Sequence, residues 1–482
     1  MTDDLAWLDA VDTAALIAGR QASAREVVTA AIERIEAANS RLNAVVIRFY
    51  EQALDCLDAV PPGRLHGVPF LWKDSGSALA GMPLYRGSAV LRDADHRATD
   101  DSPLAVRYVA AGLVGLGKTN VPELAQQMCT QPVAFGPTRN PWDLTRSAGG
   151  SSGASAAAVA AGLVPLAHGG DAGGSIRIPA AFCGVVGFKP SRGRMPLGGS
   201  NTSAGFTEHV LTRTVRDSAL VLDLTHGPSG GELFVAPHPT RPYVEEVSAV
   251  PGRLRIGLQT TSPGVSVDPV AAAAAEEAAL TLSALGHDVE ISGPVTEWRD
   301  LRAEHGVFQG AEDAAEMRLR LAELAEVLGR PITPDDVEPW TWSRAAYGQR
   351  IPPEAVLAEA RLKQANAARM TRWWDDFDLL ITPTAPFAAP PLEFLAASVD
   401  IATMVERVRL LGCFRLLANH AGLPAVSLPT HVAPSGLPLG VQLVAGPYRD
   451  DVVFQVAGQL EQALPWVDRY RQLGELTTVQ VS

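Results

Sequence analysis

The chain has 482 residues, of which 47% are apolar and 19% are charged, and it contains 43 glycines and 36 prolines. This length and composition are typical of a large packed globular protein and exclude a disordered or fibrous chain. The formal net charge of −13 argues against a surface for nucleic acid and against binding to an acidic membrane. We therefore expect a globular enzyme with no nucleic-acid or membrane partner.

The four cysteines lie far apart in the sequence and form no Cys-x-x-Cys pair: Cys56, Cys129, Cys183 and Cys413. Their spacing favours neither a disulfide framework nor a zinc site. The N-terminal segment is acidic and polar, whereas a secretory signal has a basic region followed by an apolar one. The sequence thus predicts a cytoplasmic protein.

The first third of the chain alternates helical and strand patterns. Ser23 and Glu26 form a capping box, and the apolar residues that follow recur at helical spacing. Residues 67–72 form an apolar run that predicts a buried strand ending at Lys73. A helical pattern at 101–112 leads into a second strand at 113–116. This alternation is typical of an α/β fold.

The second half of the chain predicts a β-α-β unit, a helical segment and further strands. Strands at 253–258 and 287–292 flank a helix that begins with Asp268 and Pro269. Residues 298–364 are charged and helical, and we interpret them as a variable helical cap over a site. Three more apolar runs predict strands at 378–382, 425–428 and 441–444.

Two glycine-serine clusters lie in the segment 140–193: Gly-Gly-Ser-Ser-Gly at 149–153 and Asp-Ala-Gly-Gly-Ser at 171–175. One such cluster is typical of an ordinary turn. Two clusters joined by one short helix near Ala154 favour a functional role, because consecutive glycines turn several N–H groups toward one oxyanion. Ser175 ends the second cluster and is a candidate nucleophile.

A serine nucleophile needs a proton acceptor within hydrogen-bond distance. His168 precedes the second cluster, but its apolar and glycine neighbours favour a buried structural role. Lys73 is the other candidate. A lysine in this position is ordinarily a surface residue, whereas burial would favour the neutral amine, which is a competent base. Asp74 follows Lys73, and the alternation of a strand places its side chain on the opposite face.

Three motifs stand out: the cluster at 149–153, the sequence Asp-Ala-Gly-Gly-Ser-Ile-Arg-Ile-Pro-Ala at 171–180, and Val-Pro-Phe-Leu-Trp-Lys-Asp at 68–74. Together they resemble the amidase signature family. The resemblance extends through 136–142, 182–190 and 422–425, and so covers nearly the whole chain. It implies a three-layer α/β/α fold with a large twisted mixed central sheet, and an enzyme with neither a metal nor an organic cofactor.

The resemblance also implies one amidase domain over residues 1–482. Within it we expect an N-terminal helical region at 1–60, a catalytic core at 68–230 with the signature segment 140–193, the cap at 298–364, and the C-terminal part of the core at 378–470. Relatives of this kind are often homodimers, so the resemblance allows a homodimer here, although the sequence itself does not specify the oligomeric state.

The roles implied for the catalytic residues are Ser175 as the acylated nucleophile, Ser151 as a proton relay and Lys73 as the base. The Gly150–Ser151 peptide bond is implied to be cis. Ser152 and Gly150 are implied supporting residues. Asp171 and Arg177 either brace the loop or form a plain surface ion pair. The tetrahedral oxyanion would accept hydrogen bonds from the backbone N–H groups of Ala172, Gly173, Gly174 and Ser175.

Within the family, residues 167–172 together with Trp373-Trp374 and Pro383-Thr384 are similar to bacterial amidases that act on aryl acylamides and nylon oligomers. Some relatives of this type also cleave carbamates. Glutamine-hydrolysing subunits commonly carry Gln where Ile178 stands, which favours an apolar or aromatic substrate here. The expected partner is a small-molecule amide or carbamate.

Two other hypotheses compete. The cluster at 149–153 also fits Gly-x-Ser-x-Gly, the nucleophile elbow of α/β-hydrolases, with Ser151 as nucleophile and with Asp378 and His420 as partners. The polar, proline-containing segment 140–147 is a poor strand for such an elbow. The clusters would also suit an anion-binding module without catalysis, although neither a dinucleotide fingerprint nor a P-loop is complete in this segment.

Overall fold

The computed structural model describes residues 2–198, 205–294 and 310–476. The strands in this part of the chain are β1 (Val45–Arg48), β2 (Pro69–Lys73), β3 (Val114–Thr119), β4 (Arg139–Asn140), β5 (Asp143–Ser147), β6 (Leu166–Asp171), β7 (Val186–Lys189), β8 (Thr207–Thr212), β9 (Arg255–Leu258), β10 (Asp288–Ile291), β11 (Leu379–Pro383), β12 (Ala425–Val432) and β13 (Pro438–Ala445). Eleven of them form one mixed sheet, and β4 and β5 form a separate two-stranded ribbon.

The strands of the large sheet are neighbours in the order β1-β3-β2-β6-β8-β7-β12-β13-β11-β9-β10. Strand β2 is parallel to both β3 and β6, whereas β8 is antiparallel to β6. Because parallel strands end at the same edge of a sheet, the C-terminal residue of β2, Lys73, lies near the C-terminal end of β6. The topology therefore brings the lysine motif and the second glycine-serine cluster together.

The α-helices of the described residues are α1 (Thr2–Trp7), α2 (Ala10–Ala18), α3 (Ala24–Leu42), α4 (Tyr50–Asp55), α5 (Ala89–Asp93), α6 (Pro103–Ala110), α7 (Gly153–Ala160), α8 (Arg177–Cys183), α9 (Val215–Thr225), α10 (Tyr243–Glu246), α11 (Pro269–Ala284), α12 (Ala311–Leu328), α13 (Pro339–Gly348), α14 (Pro353–Thr371), α15 (Ile401–Leu411), α16 (Leu416–His420) and α17 (Asp450–Ala463). None is both long enough and apolar enough to cross a membrane.

Helices cover both faces of the central sheet. Helix α8 packs on β7, β12 and β13, with α7 beside it, while α9, α11 and α17 form a second layer. Every residue of α7 is buried. Its sequence, Gly-Ala-Ser-Ala-Ala-Ala-Val-Ala, has only small side chains, so the helix approaches its neighbours closely. The three-layer α/β/α fold expected from the sequence is confirmed.

Local sequence signals explain where several elements begin. Ser23 Oγ accepts the Glu26 N–H at 3.2 Å, and Glu26 Oε2 accepts the Ser23 N–H at 2.7 Å, so the predicted capping box starts α3. Asp268 caps α11 by accepting the Val270 N–H at 2.9 Å, with Pro269 in the first turn. These predictions are confirmed.

The predicted strands are also present, with ends that differ from the prediction by at most four residues. Residues 298–309, the start of the segment interpreted as a cap, lie outside the described residues. The remainder of that segment is helical, as expected, and comprises α12, α13 and most of α14. Helix α12 packs on α5, α13 and α14.

Candidate active site

Lys73 is the centre of a buried polar cluster. Its side chain is 2% exposed, and Nζ donates hydrogen bonds to Ser151 Oγ at 2.7 Å and Ser152 Oγ at 2.9 Å. The carbonyl oxygen of Gly170 lies 3.5 Å from Nζ. The predicted lysine and the predicted relay serine are therefore in direct contact, although they are 78 residues apart in sequence.

Burial lowers the pKa of Lys73 to about 7, even though the carboxylates of Glu208 and Asp171 oppose this shift. A free lysine in water keeps its proton at neutral pH, because its pKa is about 10.4. Here a large fraction of the side chain is the neutral amine near pH 7, and this amine is able to accept a proton from a hydroxyl it contacts. Asp74 does not oppose this, since it lies beside Lys118 Nζ at 3.6 Å.

The first glycine-serine cluster packs closely against residues 129 and 130. A side chain at Gly150 would place Cβ 2.6 Å from backbone atoms of Cys129, so only glycine fits. Thr130 Oγ1 donates to the Gly149 carbonyl at 2.9 Å and accepts the Gly153 N–H at 3.2 Å. The Gly150–Ser151 peptide bond is cis, as expected.

Ser175 lies in the loop between β6 and α8 and is 5% exposed. Its carbonyl accepts the Ser152 N–H at 3.2 Å, which ties the loop to the first cluster. Ser152, in turn, contacts Lys73 through its hydroxyl, and that hydroxyl also accepts the Gly170 N–H at 3.2 Å. The structure thus brings the two clusters and Lys73 together, and Ser152 of the first cluster bonds to both Lys73 and Ser175.

The loop that carries the predicted oxyanion donors also binds the Asp171 carboxylate. The Gly174 N–H donates to Asp171 Oδ1 at 2.6 Å, and the Ile176 N–H donates to Oδ2 at 3.2 Å. The predicted donor role of Gly174 stays a prediction, and the mechanism proposed below uses the N–H groups of Ala172, Gly173 and Ser175.

Asp171 and Arg177 form a bidentate ion pair, with Nε 3.0 Å from Oδ2 and Nη2 3.1 Å from Oδ1. Both side chains are fully buried, so the surface-pair alternative is wrong and the bracing role is the one that fits. Burial alone would raise the pKa of Asp171, but the charge and hydrogen bonds of Arg177, with a bond from Asn419, hold this pKa well below its usual range.

Comparison with known proteins agrees with this arrangement. The family model described as Amidase matches residues 26–454. The chain belongs to the amidase family. It is 40% identical to the 6-aminohexanoate-cyclic-dimer hydrolase of Paenarthrobacter ureafaciens, over 97% of each chain. Like other amidases, it is an enzyme that hydrolyses amides.

Two solved structures support the same assignment. A 6-aminohexanoate cyclic dimer hydrolase complexed with substrate superposes on this amidase with a TM-score of 0.91 and 38% identity, over 97% of this chain and 99% of the other. A bacterial aryl acylamidase of the amidase signature family superposes with a TM-score of 0.87 and 29% identity, over 97% and 98%. The predicted family and subgroup resemblance are therefore confirmed.

Three residues that support the loop around Asp171 in this amidase were not identified from the sequence. Asn419 Nδ2 donates to Asp171 Oδ1 at 2.8 Å, and its Oδ1 accepts from Arg177 at 2.6 Å. Arg177 also donates to Gln442 Oε1 at 2.8 Å and to the Arg415 carbonyl at 2.9 Å. These partners lie more than 230 residues from the loop, and no local motif marks them.

An apolar cluster, which we call the Ile178 cluster, adjoins the two glycine-serine clusters of the amidase. Ile178 lies three residues after Ser175, and Cys129 contacts Gly150. Trp340 of α13 belongs to the same cluster, so the helical segment 311–371 reaches the site region. The buried members are Cys129, Ile178, Phe182, Trp340, Ala385, Ala389, Leu395, Met404, Val408 and Leu411.

The nucleophile-elbow hypothesis is wrong for this amidase. Ser151 follows β5, which belongs to the two-stranded ribbon, whereas an elbow follows a strand of the central sheet. The hydroxyl of Ser151 accepts a hydrogen bond from Lys73, and within the described residues no histidine forms a hydrogen bond with it. Asp378 accepts the Arg255 N–H at 2.8 Å beside β11, and burial, with nearby cations, lowers the pKa of His420 to about 3.

The anion-binding hypothesis also fits poorly. The chain belongs to a family of amide-hydrolysing enzymes, whereas this hypothesis assigns it no catalysis. Two cavities of about 350 and 550 Å³ lie elsewhere on the amidase, lined by residues around Trp374 and around Asn43. No group of three or more His, Cys, Asp or Glu side chains suited to a metal ion occurs in the described ranges.

Proposed function

We propose that this amidase cleaves carboxamide C–N bonds through an acyl-enzyme on Ser175, with Lys73 as the base and Ser151 as the relay. The observation that carries the proposal is the 2.7 Å contact between Lys73 Nζ and Ser151 Oγ inside a fully buried cluster. A neutral lysine in this position removes the need for a histidine.

Acylation begins with two proton transfers. The Lys73 amine accepts the Ser151 hydroxyl proton as Ser151 Oγ accepts the proton of Ser175, whose oxygen attacks the substrate carbonyl carbon. The N–H groups of Ala172, Gly173 and Ser175 stabilise the resulting oxyanion, each worth about a hundred- to a thousandfold in rate. The proton then returns through Ser151 to the amine nitrogen as the C–N bond breaks, and the amine departs.

Deacylation repeats these steps with water. A water molecule loses a proton to the same relay and attacks the ester carbonyl of acylated Ser175. The second tetrahedral intermediate collapses, the proton returns to Ser175 Oγ, and the carboxylic acid product is released. Lys73 ends the cycle as the neutral amine, so no external acid or base is consumed by the enzyme.

We infer that the substrates are aryl acylamides or nylon-type oligomers. Two observations support this class: the Ile178 cluster adjoins the nucleophile loop, and a 6-aminohexanoate-cyclic-dimer hydrolase is 40% identical to the chain. An apolar acyl group gains roughly 25 cal/mol for each Å² that it buries against such side chains. Aryl carbamates are proposed as further substrates, since they present the same carbonyl and an amine leaving group.

A fluorophosphonate probe and a substrate panel test the proposal. Mass spectrometry of the labelled protein should find the probe on Ser175, and Ser175→Ala should abolish labelling. The panel contains anilides, short linear and cyclic nylon oligomers, aryl carbamates and glutamine, and glutamine should be the poorest substrate. Labelling on Ser151, or full turnover by Ser175→Ala, would contradict the mechanism. The homodimer that the resemblance allows stays a prediction, which light scattering checks.

A further inference from the structure

Arg415 is a buried arginine whose side chain lies across the loop before Ser175 and takes no part in the proton transfers. It stands between α15 and α16 and is 3% exposed. A Cβ at Gly173 would lie 2.8 Å from its Nη1, and a Cβ at Gly174 would overlap its Cδ. Side-chain atoms do not approach each other so closely, so the two glycines leave the room that this side chain needs.

The guanidinium of Arg415 has one hydrogen bond to the protein, in which Nε donates to the Leu411 carbonyl at 3.1 Å. Within the described residues neither Nη1 nor Nη2 has a hydrogen-bond partner, and no carboxylate lies within ion-pair distance. Arg213, another buried arginine, differs in this respect, since its two terminal nitrogens donate to four backbone carbonyls. The terminal donors of Arg415 are therefore free for a further acceptor.

The neighbouring acidic groups do not balance the charge of Arg415. Asp171 already forms a bidentate ion pair with Arg177, and it also accepts hydrogen bonds from Asn419 and from two backbone N–H groups of its own loop. The thiol of Cys413 is neutral, because burial raises its pKa to about 12. The described part of the loop region thus holds a buried cation without a free counter-charge.

Arg415 is charged at neutral pH. Burial, together with the charge of Arg177, lowers the pKa of Arg415 to about 10, although Asp171 opposes this shift. An unpaired buried cation is costly in the resting protein, and it attracts any negative charge that develops close to it. In the reaction proposed above, negative charge develops on the oxyanion, and the Gly173 N–H, one of its donors, belongs to a residue that the guanidinium contacts.

We propose that Arg415 is a positioning residue of the oxyanion loop: its side chain holds Gly173 and Gly174 in place, and its unpaired charge stabilises the oxyanion formed during acyl transfer. This inference rests on the proposed function, since it assumes that Ser175 attacks the substrate carbonyl. An uncharged amide interacts weakly with the cation before the attack, and the oxyanion interacts strongly. Arg415 should therefore act on kcat much more than on KM.

Arg415→Met and Arg415→Lys together test the proposal, because both keep an apolar stem against the glycines and only Lys keeps the charge. Turnover of an uncharged anilide at pH 8 is the measurement. In Arg415→Met, kcat should fall by about ten- to a hundredfold while KM changes by less than about threefold. Arg415→Lys should recover most of this loss and have a kcat within about fivefold of the wild type.

Urea denaturation gives a second readout. Arg415→Met removes an unpaired buried charge and one hydrogen bond, so its unfolding midpoint should be no lower than that of the wild type. Arg213→Met is the matched control: Arg213 follows β8 at the end of the sheet opposite to Lys73, so its loss should lower the urea midpoint and leave kcat unchanged. If Arg415→Met does not fold, Arg415→Gln replaces it, with the same expected fall in kcat.

Two results would overturn the role of Arg415. A wild-type kcat in Arg415→Met would mean that the charge does not act on the reaction, and an equal loss of kcat in Arg415→Met and Arg415→Lys would mean that only packing matters. Ser175→Ala, assayed beside them, separates the two levels of inference. If Ser175→Ala is inactive and Arg415→Met is not impaired, only the role of Arg415 is wrong; if Ser175→Ala turns over the anilide like the wild type, the proposed function itself is wrong.

Discussion

The Asp171 carboxylate lies 2.6 Å from the Gly174 nitrogen, so the loop that carries Ser175 folds around a buried negative charge. The N–H of Ile176 donates to the other carboxylate oxygen, and the guanidinium of Arg177 neutralises the Asp171 charge. The Gly174 N–H of the glycine cluster therefore donates to a carboxylate of the same loop. The remaining donors keep their directions because the carboxylate fixes the peptide planes between them.

The stability of the enzyme should depend on this ion pair. We expect Arg177→Met to lower the free energy of unfolding by about 3–5 kcal/mol, because it leaves the Asp171 charge buried with no cation. Urea denaturation measures the loss. The matched control is Arg48→Met, whose partner Glu36 lies 2.8 Å away and is half exposed; there the loss should be below about 1 kcal/mol. Equal losses of unfolding free energy in the two variants would contradict the expected difference between the buried and the exposed ion pair.

Catalysis should depend unequally on the three catalytic residues. Lys73→Ala and Ser175→Ala should each lower kcat by about a thousandfold or more, since one removes the base and the other the nucleophile. Ser151→Ala should retain more activity, because water is able to replace a relay hydroxyl. Turnover of an anilide measures the effect, with thermal unfolding as the check on folding. Near-normal turnover in the Lys73 variant would contradict the assignment.

Activity should fall in acid. Burial lowers the pKa of Lys73 to about 7, so the free enzyme loses its base as the pH falls through that value. We expect kcat/KM to have an acid midpoint near pH 7 and to be nearly constant above pH 8. A pH profile measured with an uncharged anilide isolates the enzyme groups. An acid midpoint near pH 4 would instead indicate a carboxylate as the base.

The same burial should make Lys73 a cost to stability. Its pKa is about 7 in the folded protein and 10.5 without burial, so the unfolded chain binds the extra proton between these values and wild-type stability rises with pH there. Lys73→Met removes this cost. Its gain in unfolding free energy over wild type should be about 2 kcal/mol larger at pH 6 than at pH 9.

Urea denaturation at pH 6 and pH 9 measures this difference, and Lys363→Met is the contrasting variant. Lys363 lies 3.0 Å from Glu312 and 2.9 Å from Glu359, and although burial opposes it, Asp313 and these carboxylates raise its pKa. Its replacement should destabilise the protein at pH 7. A gain for Lys363→Met like that of Lys73→Met would show that the effect comes from added apolar surface and not from the buried amine.

The sequence predicted most of the fold because its signals are local. The capping box at Ser23, Pro269 after its cap and the apolar run before Lys73 each depend on residues that are close in sequence. The two glycine-serine clusters and Lys73 were likewise visible as motifs. That these motifs lie close together follows only from the strand order, in which β2 and β6 are parallel neighbours and end on the same side of the sheet.

The supporting residues were not predictable, because their roles arise only from tertiary contact. Asn419 and Gln442 reach Arg177 from segments 242 and 265 residues away, and neither belongs to a recognisable pattern. The hydrogen bond from the Gly174 N–H to Asp171 was not predictable for a related reason: it depends on where the Asp171 carboxylate lies, and sequence spacing does not specify that.

Gly150 should tolerate no larger residue. A Cβ at this position would lie 2.6 Å from the Cys129 backbone, which no side-chain movement relieves, so Gly150→Ala must displace Ser151 or the backbone at Cys129. We expect a loss of about 1–3 kcal/mol in unfolding free energy and a fall in kcat of at least about a hundredfold, because a displacement of about 1 Å misaligns the relay.

The matched control for Gly150→Ala is Gly252→Ala, since a Cβ at Gly252 meets no atom within 4 Å and its φ is not positive. Its activity should equal that of the wild type. The decisive comparison is between activity and stability. If Gly150→Ala were destabilised but kept its kcat, the close approach to Cys129 would serve only packing, and the alignment of Ser151 with Lys73 would not depend on it.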